Sequence, residues 1–211
     1  NHGSMGRGNN PALFTGSWAP AHIQRYFTNL GWMVVFPQRR GRGKSGGRYG
    51  EGLRDDGKGY SCDPSVALAG FERAVEDVDA VIEHLRSRDD VRHELIVMGG
   101  ASRGGILAIA YAGMRPSMLA GALSFNGGWL GRVCPTYEQI NQKIFASGAG
   151  FSRPTLWLHG SYDQYYRLTH CRENFERFKA AGGQGTFVAA PGGHGLLFKP
   201  NLWTSIVDAY L

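Results

Sequence analysis

Short unbroken apolar runs alternate along this chain with longer stretches in which apolar residues recur every three or four positions. Ile23 to Leu30 reads as the end of a helix, closed by Gly31, and Trp32-Met33-Val34-Val35-Phe36 as a buried strand stopped by Pro37. From Pro64 to Arg88, Val66, Ala69, Gly70, Ala74, Val78, Val81, Ile82 and Leu85 recur at helical spacing, which predicts a long helix. Leu95 to Met98 is the next strand, and the helix after it stops near Met114, because Pro116 disfavours helical geometry at Arg115. Leu119 to Phe125 and Pro154 to Gly160 read as further strands, with a looser stretch between them. Arg167 to Ala181 is an amphipathic helix ended by Gly182-Gly183. Thr186 to Ala190 is the last strand and Leu202 to Leu211 the last helix. This βαβα order predicts an α/β fold: a mostly parallel sheet flanked by helices on both faces. One domain over residues 1–211 is expected, with a short cap-like or loop insertion around 126–153.

The junction after Met98 carries the sharpest chemical signal. Gly99-Gly100-Ala101-Ser102-Arg103-Gly104-Gly105 lies between an apolar strand and the helix-like run Ile106 to Ala112. Gly100, Ser102 and Gly104 fill the G-x-S-x-G spacing of a nucleophile elbow. A serine on so tight a turn needs neighbours without a Cβ two residues to either side. The turn lifts the hydroxyl above the sheet and aims the first N–H groups of the helix at a reacting carbonyl.

A serine hydroxyl needs a base to become a nucleophile at neutral pH. Of seven histidines, His194 is the best placed. It follows a strand, in the loop Pro191-Gly192-Gly193-His194-Gly195, and strand ends are where α/β sheets put their chemistry. Asp163, in His159-Gly160-Ser161-Tyr162-Asp163, stands one strand earlier and suits the role of orienting that imidazole. It also fits an ordinary turn aspartate. The backbone N–H of Arg103 is the natural first oxyanion donor. Asn1-His2-Gly3-Ser4-Met5 resembles a His-Gly oxyanion loop, which would offer the N–H of Ser4 or Met5 as the second. The same residues also resemble the scar of an affinity tag.

Composition narrows the remaining classes. A chain with 42% hydrophobic and 19% charged residues is ordinary for a globular protein. The net charge of +6 comes from scattered cations apart from Arg39-Arg40-Gly41-Arg42-Gly43-Lys44, and neither a basic helix nor an RNA-binding aromatic pattern accompanies them. No nucleic-acid partner, membrane span or cofactor is expected. Gly43-Lys44-Ser45 resembles a phosphate-binding loop, but that motif requires glycine where Gln38 stands. Cys62, Cys134 and Cys171 lack metal-ligand spacing, so no metal is expected; they leave open one disulfide with a free thiol or three thiols, and the compartment with them. The oligomeric state is likewise open.

Taken together these residues resemble the α/β-hydrolase superfamily, closest to its dienelactone-hydrolase-like and prolyl-oligopeptidase-like branches. Leu30 to Val35 is similar to the strand after the family's first helix, Arg40 to Gly47 to its R-G-x-G-x-S-G loop, and Leu158-His159-Gly160 and Gly193-His194-Gly195 to the segments around its acid and base. The resemblance implies Ser102 as nucleophile, Asp163 as acid and His194 as base. It also implies strands before the His-Gly loop that this sequence lacks. Dienelactone hydrolases carry cysteine at the elbow where Ser102 stands, which argues against dienelactone itself.

The expected activity is hydrolysis of a small-molecule carboxylic ester or related acyl compound. A peptidase or amidase of the same fold, a non-catalytic binding protein of that fold and a metal-dependent hydrolase are the alternatives. Trp129 and Tyr165 are candidate substrate contacts; Trp129, with Tyr137, Phe145 and Phe151, could equally be packing. The Arg103 side chain is expected in a structural ion pair or against a substrate carboxylate.

Overall fold

The computed structural model describes residues 1–211. Four strands, β1 (Val97–Ala101), β2 (Gly121–Phe125), β3 (Thr155–Gly160) and β4 (Gly185–Ala190), form one parallel sheet in that order. Six helices accompany it: α1 (Ala21–Asn29), α2 (Pro64–Arg86), α3 (Arg103–Met114), α4 (Tyr137–Ala146), α5 (Leu168–Ala180) and α6 (Thr204–Asp208). None is long and apolar enough to cross a membrane.

Side-chain alternation along the strands divides the core into two layers. Met98, Ala122 and Trp157 face α2, α3, α4 and α5 in the larger layer. Leu123, Phe125, Leu156 and Leu158 face the opposite way, against Ile23 of α1, Val207 of α6 and the buried Leu196, Leu197 and Trp203. Helix α3 is buried from Arg103 to Ala112, and its nearly all-apolar sequence matches that central position. Helix α2 starts where Asp63 caps the N–H groups of Ser65 and Val66 and Pro64 takes the first turn. Cys62, just before it, is bonded to Cys134, leaving Cys171 as a buried free thiol.

Residues 126–153 comprise a loop and α4, which packs against α3 and α5 with Ile140, Ile144 and Phe145 buried. One expectation changes. Trp32–Phe36 is extended but joins no sheet, leaving Met33 51% and Val35 45% exposed. The reason is non-local. The free side of β1 is met only by Asn1, whose nitrogen donates to Gly99 O (2.5 Å) and whose carbonyl accepts from Ala101 N–H (3.2 Å), a single parallel rung. Beyond it, the 32–36 segment and Val97–Gly99 line the same pockets without sharing a backbone hydrogen bond.

Candidate active site

The four strands deliver four residues to one rim. Ser102 follows β1 directly and Asn126 follows β2; Asp163 lies three residues beyond β3, and His194 four beyond β4. The register pairs Ala101 with Phe125, Phe125 with Leu158, and Gly160 with Ala190, which aligns those ends. The carboxyl edge of a parallel sheet is where such folds gather their chemistry.

Ser102 takes φ 56° and ψ −119°, a left-handed backbone that a residue with a Cβ adopts only when its surroundings enforce it. They do so through both peptide groups. Its N–H donates to Phe125 O (2.9 Å), and its carbonyl accepts from Gly105, Ile106 and Gly128 (2.9, 3.2 and 3.2 Å). The framing glycines are steric necessities: a Cβ on Gly100 would stand 2.2 Å from Gly104 O, and one on Gly104 2.3 Å from Asn1 O.

The Asp163 carboxylate is buried and fully engaged. Oδ1 accepts from the N–H groups of Tyr165 (2.7 Å) and Tyr166 (3.1 Å), and Oδ2 from His194 Nδ1 (2.8 Å) and Asn126 Nδ2 (2.6 Å). Burial works to raise its pKa, but the His194 contact and the two backbone N–H groups outweigh burial and hold it below the usual carboxylate range. With Nδ1–H given to Asp163, a neutral His194 presents Nε2 as a free acceptor. No hydrogen bond joins it to Ser102. The serine hydroxyl instead neighbours the Tyr166 phenol at 3.4 Å, and that phenol donates to Gly128 O (2.8 Å). The Tyr166 ring lies 5.5 Å and the half-exposed Tyr165 ring 4.6 Å from the imidazole, centre to centre, so both tyrosines line the rim with His194.

The opening residues pack on the elbow. A Cβ on Gly3 would sit 3.1 Å from Ser102 Cβ and 3.7 Å from Oγ. As the first residue of α3, Arg103 has no helical acceptor for its N–H, and Ser4 N–H meets no protein acceptor. Met5 is different: its N–H is committed to the Tyr60 hydroxyl (2.9 Å), which removes it as an oxyanion donor.

Two side-chain expectations are also corrected. Trp129 is 1% exposed, lies edge-on to Phe71 and donates from its indole to Ala67 O (2.8 Å); with Tyr137, Phe145 and Phe151 it belongs to the core. Arg103 pairs with no carboxylate. Its guanidinium lies between the Tyr60 and Trp129 rings (3.7 and 4.6 Å to the centroids) and donates to the carbonyls of Trp129 and Glu51. Asn126 went unrecognised in the sequence. Its φ of 50° is a conformation asparagine tolerates better than most residues, and an asparagine before Gly127-Gly128 at a strand end was the available signal.

A strained serine between a parallel strand and a buried helix, with an aspartate–histidine pair on the neighbouring strand ends, is the architecture of the α/β-hydrolase superfamily. The chain belongs to its serine aminopeptidase S33 family (Hydrolase_4), whose model matches residues 15–144 and therefore includes Ser102 but neither Asp163 nor His194. It is similar to acyl-protein thioesterase 1 homolog 1 of Dictyostelium discoideum, 25% identical over 56% of this chain and 49% of that protein. It is also similar to a probable carboxylesterase of Oryza sativa subsp. japonica, 31% identical over 61% of this chain and 46% of that one. The chain thus spans about half the length of these curated relatives. Among solved structures an esterase of Pyrococcus furiosus shares the fold, with a TM-score of 0.64 at 16% identity over 90% of this chain and 73% of the esterase.

Proposed function

We propose that this protein hydrolyses carboxylic esters through Ser102, His194 and Asp163 by way of an acyl-enzyme. The observation that carries the reading is the Asp163–His194 hydrogen bond on the rim of the strained Ser102 elbow. His194 Nε2 takes the Ser102 proton as Oγ attacks the carbonyl carbon. Asp163 stabilises the imidazolium through Nδ1. The oxyanion is received by the N–H groups of Arg103 and Ser4 and by the positive end of α3. The imidazolium then gives its proton to the leaving alcohol, and a water molecule activated by the same base releases the acid.

The Ser102–His194 contact has to close for the first step. Such contacts commonly tighten only with substrate in place. Small acyl esters are the favoured substrates; of the curated relatives, the probable carboxylesterase is named for carboxylic esters and the thioesterase for acyl thioesters.

The test is a fluorophosphonate probe together with p-nitrophenyl esters and aminoacyl amides. Stoichiometric labelling at Ser102, ester turnover above amide turnover, and a fall of at least about 10³-fold in kcat for S102A are expected. Wild-type turnover by S102A would refute the assignment, and a preference for the amides would transfer it to peptidase chemistry.

A further inference from the structure

Next to Gly3 and Ser4 lies a polar chain, buried at Tyr49, Glu51, Arg39 and His2 and half-buried at Tyr60, that the mechanism above does not use. Met5 N–H donates to the Tyr60 hydroxyl (2.9 Å), which lies 2.9 Å from the Tyr49 hydroxyl; Tyr49 in turn donates to Glu51 Oε2 (3.0 Å). Glu51 is paired with the Arg39 guanidinium, whose Nη2 donates to His2 O (3.0 Å). The chain therefore starts on the amide of Met5 and ends on the carbonyl of His2, the two residues that flank Gly3-Ser4.

Its direction is fixed by Glu51. Burial opposes ionisation there, but the bonded Arg39 guanidinium outweighs it and lowers the pKa to about 2. A carboxylate only accepts, so Tyr49 must donate to it and Tyr60 must donate to Tyr49. The Tyr60 oxygen is left as acceptor for Met5 N–H. The same residues hold the other side of the site: the Tyr60 ring covers the Arg103 guanidinium at 3.7 Å, and Glu51 O accepts from it at 2.5 Å.

We propose that Tyr60, backed by Tyr49 and Glu51, is the positioning residue of the oxyanion site, fixing the Ser4 N–H relative to the Arg103 N–H. This rests on the acyl-transfer reading. By holding Met5 N–H it leaves Ser4 as the free donor and fixes the 3–5 backbone beside the elbow, while its ring packs on the Arg103 guanidinium. The glycine-rich 39–60 segment thus acts on the reaction without touching substrate.

The experiment compares Y60F, Y49F and S102A on one p-nitrophenyl ester, with active sites counted by fluorophosphonate and a trifluoromethyl ketone as reversible oxyanion mimic. Y60F keeps the ring on Arg103 and loses the hydroxyl. It is expected to lower kcat about tenfold or more at unchanged KM, and to raise the ketone Ki by a similar factor, since displacements of about 1 Å at a reacting centre can cost 10²-fold. Y49F should shift both quantities in the same direction by less. A merely structural role would reduce the number of active sites and leave kcat per site and Ki unmoved. Wild-type kcat and Ki in folded Y60F overturn the proposal; should Y60F not fold, wild-type values in Y49F do so. If S102A retains turnover, the acyl-transfer reading falls and this one with it, whereas a dead S102A beside an unaffected Y60F removes only the clamp.

Discussion

Acid should destabilise this protein through His2. Its imidazole is completely buried, with Arg39 Nη2 at 3.1 Å and Arg42 Nη1 at 3.2 Å from Nδ1, so a proton there would create a third adjacent cation. Burial first, and the Arg39 charge second, push its pKa from the ordinary 6.5 down to about 3. Between these values the unfolded chain binds a proton that the folded chain refuses, so stability falls as pH falls. Once the unfolded histidine is fully protonated the slope reaches about 1.4 kcal/mol per pH unit. Lowering the pH from about 6.5 to about 4.5 then removes roughly 2–3 kcal/mol, out of the 5–15 kcal/mol typical of a folded domain. Burial displaces His159 and His170 in the same direction, and Glu51 adds its own loss once the pH drops below its ordinary 4.5, so the total wild-type loss is larger. The informative quantity is therefore a difference. Urea unfolding followed by tryptophan fluorescence, at half-unit steps across that range, should find H2N less stable near neutrality but flatter with pH. The gap between the two proteins should close by roughly 2–3 kcal/mol. Parallel curves would refute a buried neutral His2.

Two other outcomes are expected. N126A should lower kcat about tenfold with KM little changed, because it removes one hydrogen bond to the Asp163 carboxylate while the His194 and backbone bonds stay; steady-state kinetics on an activated ester check this. Replacing both Cys62 and Cys134 by serine opens a link spanning 72 residues and should cost about 4 kcal/mol in urea unfolding, with unchanged wild-type stability as the contrary result.

What could be read from the sequence was local in character. The Ser102 elbow lies within seven consecutive residues, and its glycines can be justified from a tight turn alone. Asp163 and His194 followed from chain order along the strands. The Trp32–Phe36 strand failed because an apolar run specifies an extended segment without supplying a hydrogen-bonding neighbour. Trp129 failed because an aromatic side chain has the same sequence signal in a pocket and in a core. The cysteine pairing and the Met5–Tyr60–Tyr49–Glu51–Arg39–His2 chain join residues from separate segments, and only the folded backbone brings them together.

The single rung between Asn1 and β1 has a corollary. Along the rest of β1 that side of the strand finds no backbone partner, and apolar Met33, Val35 and Leu95 line the space beside it, so the elbow strand is held on one flank by β2 and on the other by a single residue.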